Sequence, residues 1–550
     1  MAGVVHQVRQ TEAHLGIRCL VGRGNRVAGL FKYQPEDFQV YEVPIGQRAL
    51  SMKDVFEYDP RTGQSPADMK GYPFIQFNLF KRNMETNVAV DRMARATGIP
   101  KNAFGTAGMK DKRAESLQQV TIPSQYLSKL QNSPFDTSPI DLAAVESATA
   151  FGGIHNVHGA NFKSCSTFVD AAKQQDSANR VPADLYRDIR VAGFRGVGAP
   201  LAIGETDGNE FHIALRDAQP GCDDALRVLK DHGFVNYFGP QRFGLFGTVP
   251  ALGRAYLTKD YNEFINLSLD PAPLHPKSAA HAACMEWNEH RDAKKALQVF
   301  NSSSLRYFKN GLDSTAAQMV HRTLCALDEH GSPSRAVFSL PAQHRRFAMH
   351  SYASLVWNRL ASWRIENGGS DVQDFDWLGS EFQAMPVTNL PIEERRQKTI
   401  SDVVLPVFGS RNPGDPEYNG PVFDALKHIL AQDGFRSDFL DHEAREFSLK
   451  TVWRRMILRP GNVQWQWKRY TEPMKSFFSG LKHQEPAPEN LNAMHCLCVS
   501  FSLPPGVFAS MAVRELTGNA VSDDDGRHHA QEYMRKINSH SVAFQSGPRR

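Results

Sequence analysis

The sequence predicts an α+β protein, and three observations carry the prediction. Apolar residues alternate in the manner of strands through Phe38–Val43, Phe74–Lys81, Gln118–Ile122 and Phe211–Leu215. Residues 245–450 then read mostly as helix. Strand patterns return at Trp453–Pro460 and Leu497–Leu503. Strands and helices in separate blocks point to α+β rather than to alternating α/β units.

The chain has 550 residues, 41% hydrophobic and 22% charged. That is the composition of a soluble globular protein and the length of two to four domains. The net charge is only +4, so basicity has to be local if the partner is a polyanion. Seven scattered cysteines (Cys19, Cys165, Cys222, Cys284, Cys325, Cys496, Cys498) fit a reducing compartment better than a disulfide framework. Cys496 and Cys498 would share one side of a strand, a packing arrangement, and no paired C-x-x-C spacing suggests a metal site. No run of about 18 apolar residues is present. The first 20 residues include Glu12 and lack an apolar segment, which argues against a secretory signal. Arg9 and Arg18 leave a short organellar presequence open, but nucleus or cytoplasm is the expected setting.

In chain order, residues 1–28 form an N-terminal extension. Pro35, Glu36 and Asp37 mark a turn, and Phe38, Val40 and Glu42 fall on one face of the strand that follows. A carboxylate on an apolar face needs a nearby Lys or Arg, or a role in a site. Residues 44–72 read as loop. After the strand at 74–81, Thr86 or Asn87 caps a helix whose Ala89, Met93 and Ala96 recur at helical spacing, and Gly98 and Pro100 stop it. Then comes Phe104-Gly105-Thr106-Ala107-Gly108-Met109-Lys110-Asp111-Lys112-Arg113-Ala114. Gly105 and Gly108 permit a backbone path that a Cβ resists and let another segment come close. Lys110, Lys112 and Arg113 surround Asp111 with positive charge, which favours its ionised form and attracts a polyanion. A solvated charged turn would read the same way. From Lys81 to Gln118 there are eight Lys or Arg against four Asp or Glu, a net of +4 that equals the excess of the whole chain.

Residues 124–195 are weakly patterned. Gly193, Gly196 and Gly198 read as loop, not as a nucleotide-binding turn. Phe211, Ile213 and Leu215 share a strand face. The run Phe234–Gly244 is aromatic with one cation, Arg242, which suits a pocket for a flipped base. Hydrophobic core explains Phe238 and Phe243 equally, and Arg242 suits a phosphate or a structural carboxylate. Ala279–Phe300 reads as one helix. Met349–Glu366 reads as another, with Tyr352, Leu355, Val356 and Trp363 on its apolar side and Gly368 ending it. Residues 367–420 hold loops and a short strand at Leu405–Gly409. From Lys450 to His483 eight Lys or Arg face one acid, net +7, with Trp453, Trp465, Trp467 and Tyr470 between them. That is a footprint for RNA backbone and unstacked bases, or a solvated sheet edge. Val507–Leu516 is a helix, and the polar residues 519–550 are expected to be disordered.

Several of these blocks, in this order, resemble the motifs of the TruD family of RNA pseudouridine synthases. Residues 104–118 are similar to F-G-x-A-G-x-K-D-x-x-A-x-T-x-Q, with Ser116 in place of Thr. Lys32–Glu42 resembles K-x-x-P-E-D-F-x-V-x-E, and Thr11–Ile17 looks like the eukaryotic branch. Gly208–Phe211 resembles G-N-x-F, and Asn236–Gly244 resembles N-Y-F-G-x-Q-R-F-G. Tyr352–Asn358, Arg454 with its following apolar residues, and Phe501–Glu515 match later motifs, with Phe508 and Ser510 in place of Tyr and Thr.

The resemblance implies an α+β catalytic domain with a mixed sheet, spanning 29–244 and 451–518, with an insertion over about 124–195 that exceeds the family minimum. A mainly helical domain would be inserted over 245–450, with RNA in the cleft between the two. Asp111 is then the catalytic aspartate, attacking the nucleoside or abstracting a sugar proton. Phe211 would pack on the base, and Asn209 would hydrogen-bond near Asp111 or the base. Lys32 and Glu42 would balance charge, and Lys110, Arg242 and Arg454 would complete the substrate-binding set. Isomerising uridine needs no redox change or energy input, so no cofactor and no metal is implied. The partner is RNA, with tRNA (uridine 13 of the D-arm) first and other RNAs open to the eukaryotic branch. A monomer with no obligate protein partner and no membrane contact is expected. An RNA chaperone or scaffold without catalysis would carry a changed Asp111, and a nuclease would carry a carboxylate cluster near it; the sequence shows neither.

Overall fold

The computed structural model describes residues 12–22, 26–56, 68–133, 135, 188–244, 247–302, 314–380, 383–409, 419–436, 439, 447, 449–471, 476–478 and 493–518. Most of the expected 124–195 insertion and the 519–550 tail lie outside them. The described residues divide into a sheet unit (within 26–226 and 460–509) and a helical unit (within 12–22, 227–459 and 510–518).

In the sheet unit, nine strands of the described residues form one sheet. They are β1 (Leu30–Phe31), β2 (Phe38–Val43), β3 (Phe74–Arg82), β4 (Gly105–Thr106), β5 (Glu115–Pro123), β6 (Ile189–Val197), β7 (Gly208–Arg216), β8 (Gly461–Tyr470) and β9 (Met494–Leu503). The order is β8-β9-β7-β2-β5-β3-β6, with β1 beside β7 and β4 beside β5. β2 and β5 run parallel while their other neighbours are antiparallel, so the sheet is mixed.

Strand periodicity sorts the two faces. Ile75, Phe77 and Leu79 of β3 and Val120 and Ile122 of β5 turn to one side. There they pack on Ala89, Val90 and Met93 of helix α1 (Thr86–Thr97). Phe80 and Leu117 turn to the other side, against Tyr41, Leu50 and Val55. Each large apolar side chain buried this way contributes about 1.5–3 kcal/mol. α1 thereby clamps β5, the strand that leaves the Asp111 turn.

Local details depart from expectation. Thr86 is the first residue of α1, after Glu85, and neither caps the helix through a side chain. Gly193 and Gly196 lie in strand β6, not in a loop. Gly193 takes φ +70° at the point where the β3–β6 register slips, so a bulge hides the alternation. Asp37 is more than a turn marker: its carboxylate takes a two-pronged contact from buried Arg216 at 2.6 and 2.7 Å. Glu36 pairs with Arg82.

The helical unit contains the predicted helices with changed limits. The single helix expected over 279–300 is two, α2 (Ala279–His290) and α3 (Ala293–Asn301). Arg291 turns left-handed at φ 52°, and Asp292 caps α3 by accepting the Lys295 N–H at 3.0 Å. Helix α4 runs Ala342–Gly368, a full seven residues earlier at its start than its apolar pattern suggests. It is buried on several sides: Ser351, Ser354, Asn358, Ser362 and Arg364 are as covered as Trp357 and Leu360, whereas Trp363 is half-buried. A short antiparallel sheet joins Val403–Val407 to Val452–Arg455 and Trp377–Gly379. Among the described residues no helix is long and apolar enough to cross a membrane. The six described cysteines are free thiols.

α4 also gathers the segment near residue 15. Asn358 donates to the carbonyls of Leu15 (3.1 Å) and Phe238 (3.0 Å), and Ser362 donates to Gly16 O at 2.7 Å. Arg514 closes the same region, donating to buried Glu12 at 2.6 Å and to Cys19 O at 3.0 Å. Glu515 accepts from the N–H groups of Val21 and Gly22.

Candidate active site

The loop between β4 and β5 carries Asp111. Buried polar contacts fix the loop from beneath. Thr86 Oγ1 accepts the Lys110 N–H at 3.0 Å and donates to Gln118 Oε1 at 2.8 Å. Gln118 Nε2 donates to Gly108 O at 3.3 Å. Lys81, wholly buried in β3, donates to the carbonyls of Met84 (2.6 Å), Asp111 (2.9 Å) and Lys110 (3.3 Å). Three carbonyl acceptors match the three N–H groups of one ammonium. Burial pushes Lys81 down to about 7, against the upward pull of the Asp111 carboxylate. Gly105 is required by close approach, since a Cβ there would meet Thr121 Oγ1 at 2.5 Å and Leu201 O at 2.8 Å. Gly108 faces open space without a left-handed φ, so the expectation of a glycine-only path fails there.

The charge around Asp111 comes from elsewhere than the sequence suggested. Lys32 Nζ meets Asp111 Oδ2 at 2.6 Å, with side-chain exposures of 10% and 29%. Lys110 turns away to Glu42 Oε2 (2.8 Å) and Asn209 Oδ1 (2.6 Å), and Arg113 donates to Tyr33 O at 2.6 Å. Burial alone would raise the Asp111 carboxyl. The charge and hydrogen bond of Lys32, with the charge of Lys81, outweigh it and hold Asp111 below its ordinary value. Lys32 sits at φ 53°, a conformation that costs a residue with a Cβ about 1–2 kcal/mol. Its ammonium lies 4.0 Å from the Phe38 ring centre, and that contact and the ion pair offset the strain.

Glu42 has the partner that its apolar strand face called for: Lys110 on one oxygen, and the Gln119 N–H at 2.9 Å on the other. β2 sets Glu42 opposite Asn209 and Val40 opposite Phe211 on β7. Phe211, 6% exposed, stands in an aromatic row between Phe38 (5.9 Å) and Phe501 (5.7 Å). The Asn209 amide N–H groups make no hydrogen bond among the described residues. The structure thus brings Lys32, Glu42, Lys110, Asp111, Asn209 and Phe211 into one unit. Arg242 and Arg454 belong to the helical unit. There Arg454 donates to Asn236 O (2.9 Å) and Oδ1 (2.6 Å) over the Phe238 ring, and Arg242 donates to Ser354 Oγ at 3.3 Å.

Sequence reasoning missed Lys81 and Thr86. The available signal was a lysine ending an apolar strand, and a threonine that the helix did not use as a cap. Among the described residues of the aromatic–basic stretch over 450–483, the aromatic side chains are engaged in packing and internal hydrogen bonds. Trp453 is buried against Trp377 at 4.9 Å, and Tyr470 is buried with its hydroxyl accepting the Asp217 N–H. Trp465 and Trp467 both donate to Asp223 Oδ1 at 3.1 Å. Lys468 donates to Phe477 O, and Arg469 is exposed.

The chain is similar to known proteins over most of its length. The family described as tRNA pseudouridine synthase D (TruD) matches residues 14–163 and 169–516. The chain is 26% identical over 485 residues to the Pseudouridylate synthase 7 homolog of Homo sapiens, covering 86% of this chain and 61% of that protein. It is 26% identical over 491 residues to the Multisubstrate pseudouridine synthase 7 of Schizosaccharomyces pombe, covering 83% and 64%. The chain therefore spans less than two thirds of the length of these relatives. A solved structure from Methanosarcina mazei, described as a candidate tRNA pseudouridine synthase D, superposes with a TM-score of 0.55 at 17% identity. It covers 94% of this chain and 100% of its own, and shares the fold.

Proposed function

The chain belongs to the TruD family, and on that premise we propose that it isomerises uridine to pseudouridine in RNA, with tRNA as its first substrate. The observation that carries the reading is a carboxylate held ionised by Lys32 at 2.6 Å, on a loop pinned from below by Lys81. The reaction breaks the C1′–N1 glycosidic bond, turns the uracil and joins C1′ to C5. N1 gains a proton and C5 loses one, so atoms and electrons balance without an external reductant. A preorganised anion beside the sugar stabilises positive charge at C1′ or acts as nucleophile or base there. The free Asn209 amide donors suit a uracil carbonyl. Phe211 offers the base an apolar edge, and the base must leave its stack to reach it. Support for RNA comes from the family's description and the names of the relatives, and tRNA is the substrate in the family's own description.

The test is release of tritium from C5-labelled uridine in tRNA transcripts. Asp111→Asn keeps shape and removes the charge, so release should fall at least a thousandfold while RNA binding holds and the protein stays folded, with a melting temperature lowered by loss of the Lys32 ion pair. Substantial release by folded Asp111→Asn protein would remove Asp111 from the mechanism. RNA binding without release by the wild-type chain would favour a scaffold instead.

A further inference from the structure

The helical unit carries a second charged constellation. Arg242 ends the short turn Pro240–Arg242 and is half-buried. Its side-chain hydrogen bond goes to a neutral hydroxyl, Ser354 Oγ, and its guanidinium lies 5.9 Å from the Phe347 ring. Among the described residues no carboxylate pairs with it. Ser354 shares a face of α4 with His350 and Arg346, four and eight residues earlier. Both are exposed, as is Phe347 at 38%. Partial desolvation, then the charges of Arg242 and Arg346, hold the His350 imidazole below its ordinary value. Burial also lowers Arg242. Arg345, next on the helix, is committed to the carbonyls of Val337, Phe338 and Leu340.

Among the described residues, two guanidinium groups and an imidazole therefore meet at one helix face without a paired counter-charge. Their repulsion, and the partial desolvation of Arg242, are relieved by an anion with several acceptor oxygens. A planar fork suits a phosphate better than a point charge does. The adjoining exposed Phe347 ring suits a sugar or an unstacked base attached to that phosphate.

We propose that Arg242, Arg346 and His350 form a binding site for an RNA phosphodiester. This rests on the reading of the chain as an enzyme of RNA, and adds Arg346 and His350, with a phosphodiester as the ligand, to the substrate-binding role that the family resemblance implies for Arg242. The site grips backbone, so it is blind to sequence.

The experiment measures affinity for a tRNA transcript and for an unrelated RNA across about a tenfold range of KCl. Arg346→Gln, at an exposed position, and the double variant Arg242→Gln with Arg346→Gln are compared with wild type. The slope of log K against log salt should fall by roughly 0.7–0.9 for each phosphate that is no longer neutralised. Affinity should drop by the same factor on both RNAs. An unchanged slope and affinity in folded variants would overturn the site. If the double variant does not fold, Arg346→Gln alone decides. Wild-type tritium release with unaltered variant slopes would sink only this inference. A wild type that binds RNA with the expected variant effects but releases no tritium would sink only the reaction.

Discussion

Lys32 reaches Asp111 from a left-handed backbone at φ 53°, across 79 residues of sequence. The carboxylate's low value depends on that lysine more than on its charged neighbours in the chain, so Lys32→Met should expose the opposing effect of burial. The sign follows: losing the cation raises the Asp111 pKa, so the acid limb of tritium release moves to higher pH, read in single-turnover rates. An unmoved limb would mean that Asp111 does not set it. The same linkage bears on stability. Because the folded value is depressed, the contribution is present above the ordinary carboxylate range and lost as pH falls through the depressed value. Lys81→Met keeps volume but strands three carbonyls, and should cost about 3 kcal/mol with loss of release. Melting and tritium assays on that variant check both. At this scale the sequence displayed the reacting groups but not their pairing. Glu42 announced its need for a cation by sitting on an apolar face. The direction in which Lys110 turns depends on how β2, β5 and β7 lie side by side, and local spacing is silent on that.

Helices α2 and α3 show what local pattern conceals. Helical spacing continues across residues 279–300, and the interruption rests on the cap Asp292 and left-handed Arg291. Asp292→Ala should cost about 1 kcal/mol, seen as a lower urea midpoint for the helical unit. No change in midpoint would mean that packing alone sets the break. Strands were legible wherever one face is apolar and the other is not, as in β2, β3, β5 and β7. β6 escaped because its bulge at Gly193 interrupts the alternation. The first turns of α4 escaped because His344, Arg345 and Arg346 leave no apolar stripe there, and its middle is covered on too many sides to show one.

At the scale of the molecule, α+β architecture was legible because strands and helices come in blocks, and the mixed sheet appears where β2 and β5 run parallel. What sequence order did not reveal is that the helical unit is completed by two remote segments, around Glu12 and around Arg514. Arg514→Met would take the guanidinium from a buried Glu12 carboxylate and should cost about 3–5 kcal/mol. Adding Glu12→Gln should return part of that in a denaturation series, and no recovery would mean that the pair is not the cause. The 502 residues separating these partners also set a clock. At roughly 5–20 residues per second, a ribosome needs between about half a minute and two minutes to deliver Arg514 after Glu12. Through that interval the sheet strands before residue 226 can pair among themselves, while the Glu12 segment waits for its guanidinium. Nascent chains halted just short of residue 510 should therefore keep a protease-sensitive stretch near residues 12–22, and be the ones that chaperones hold longest.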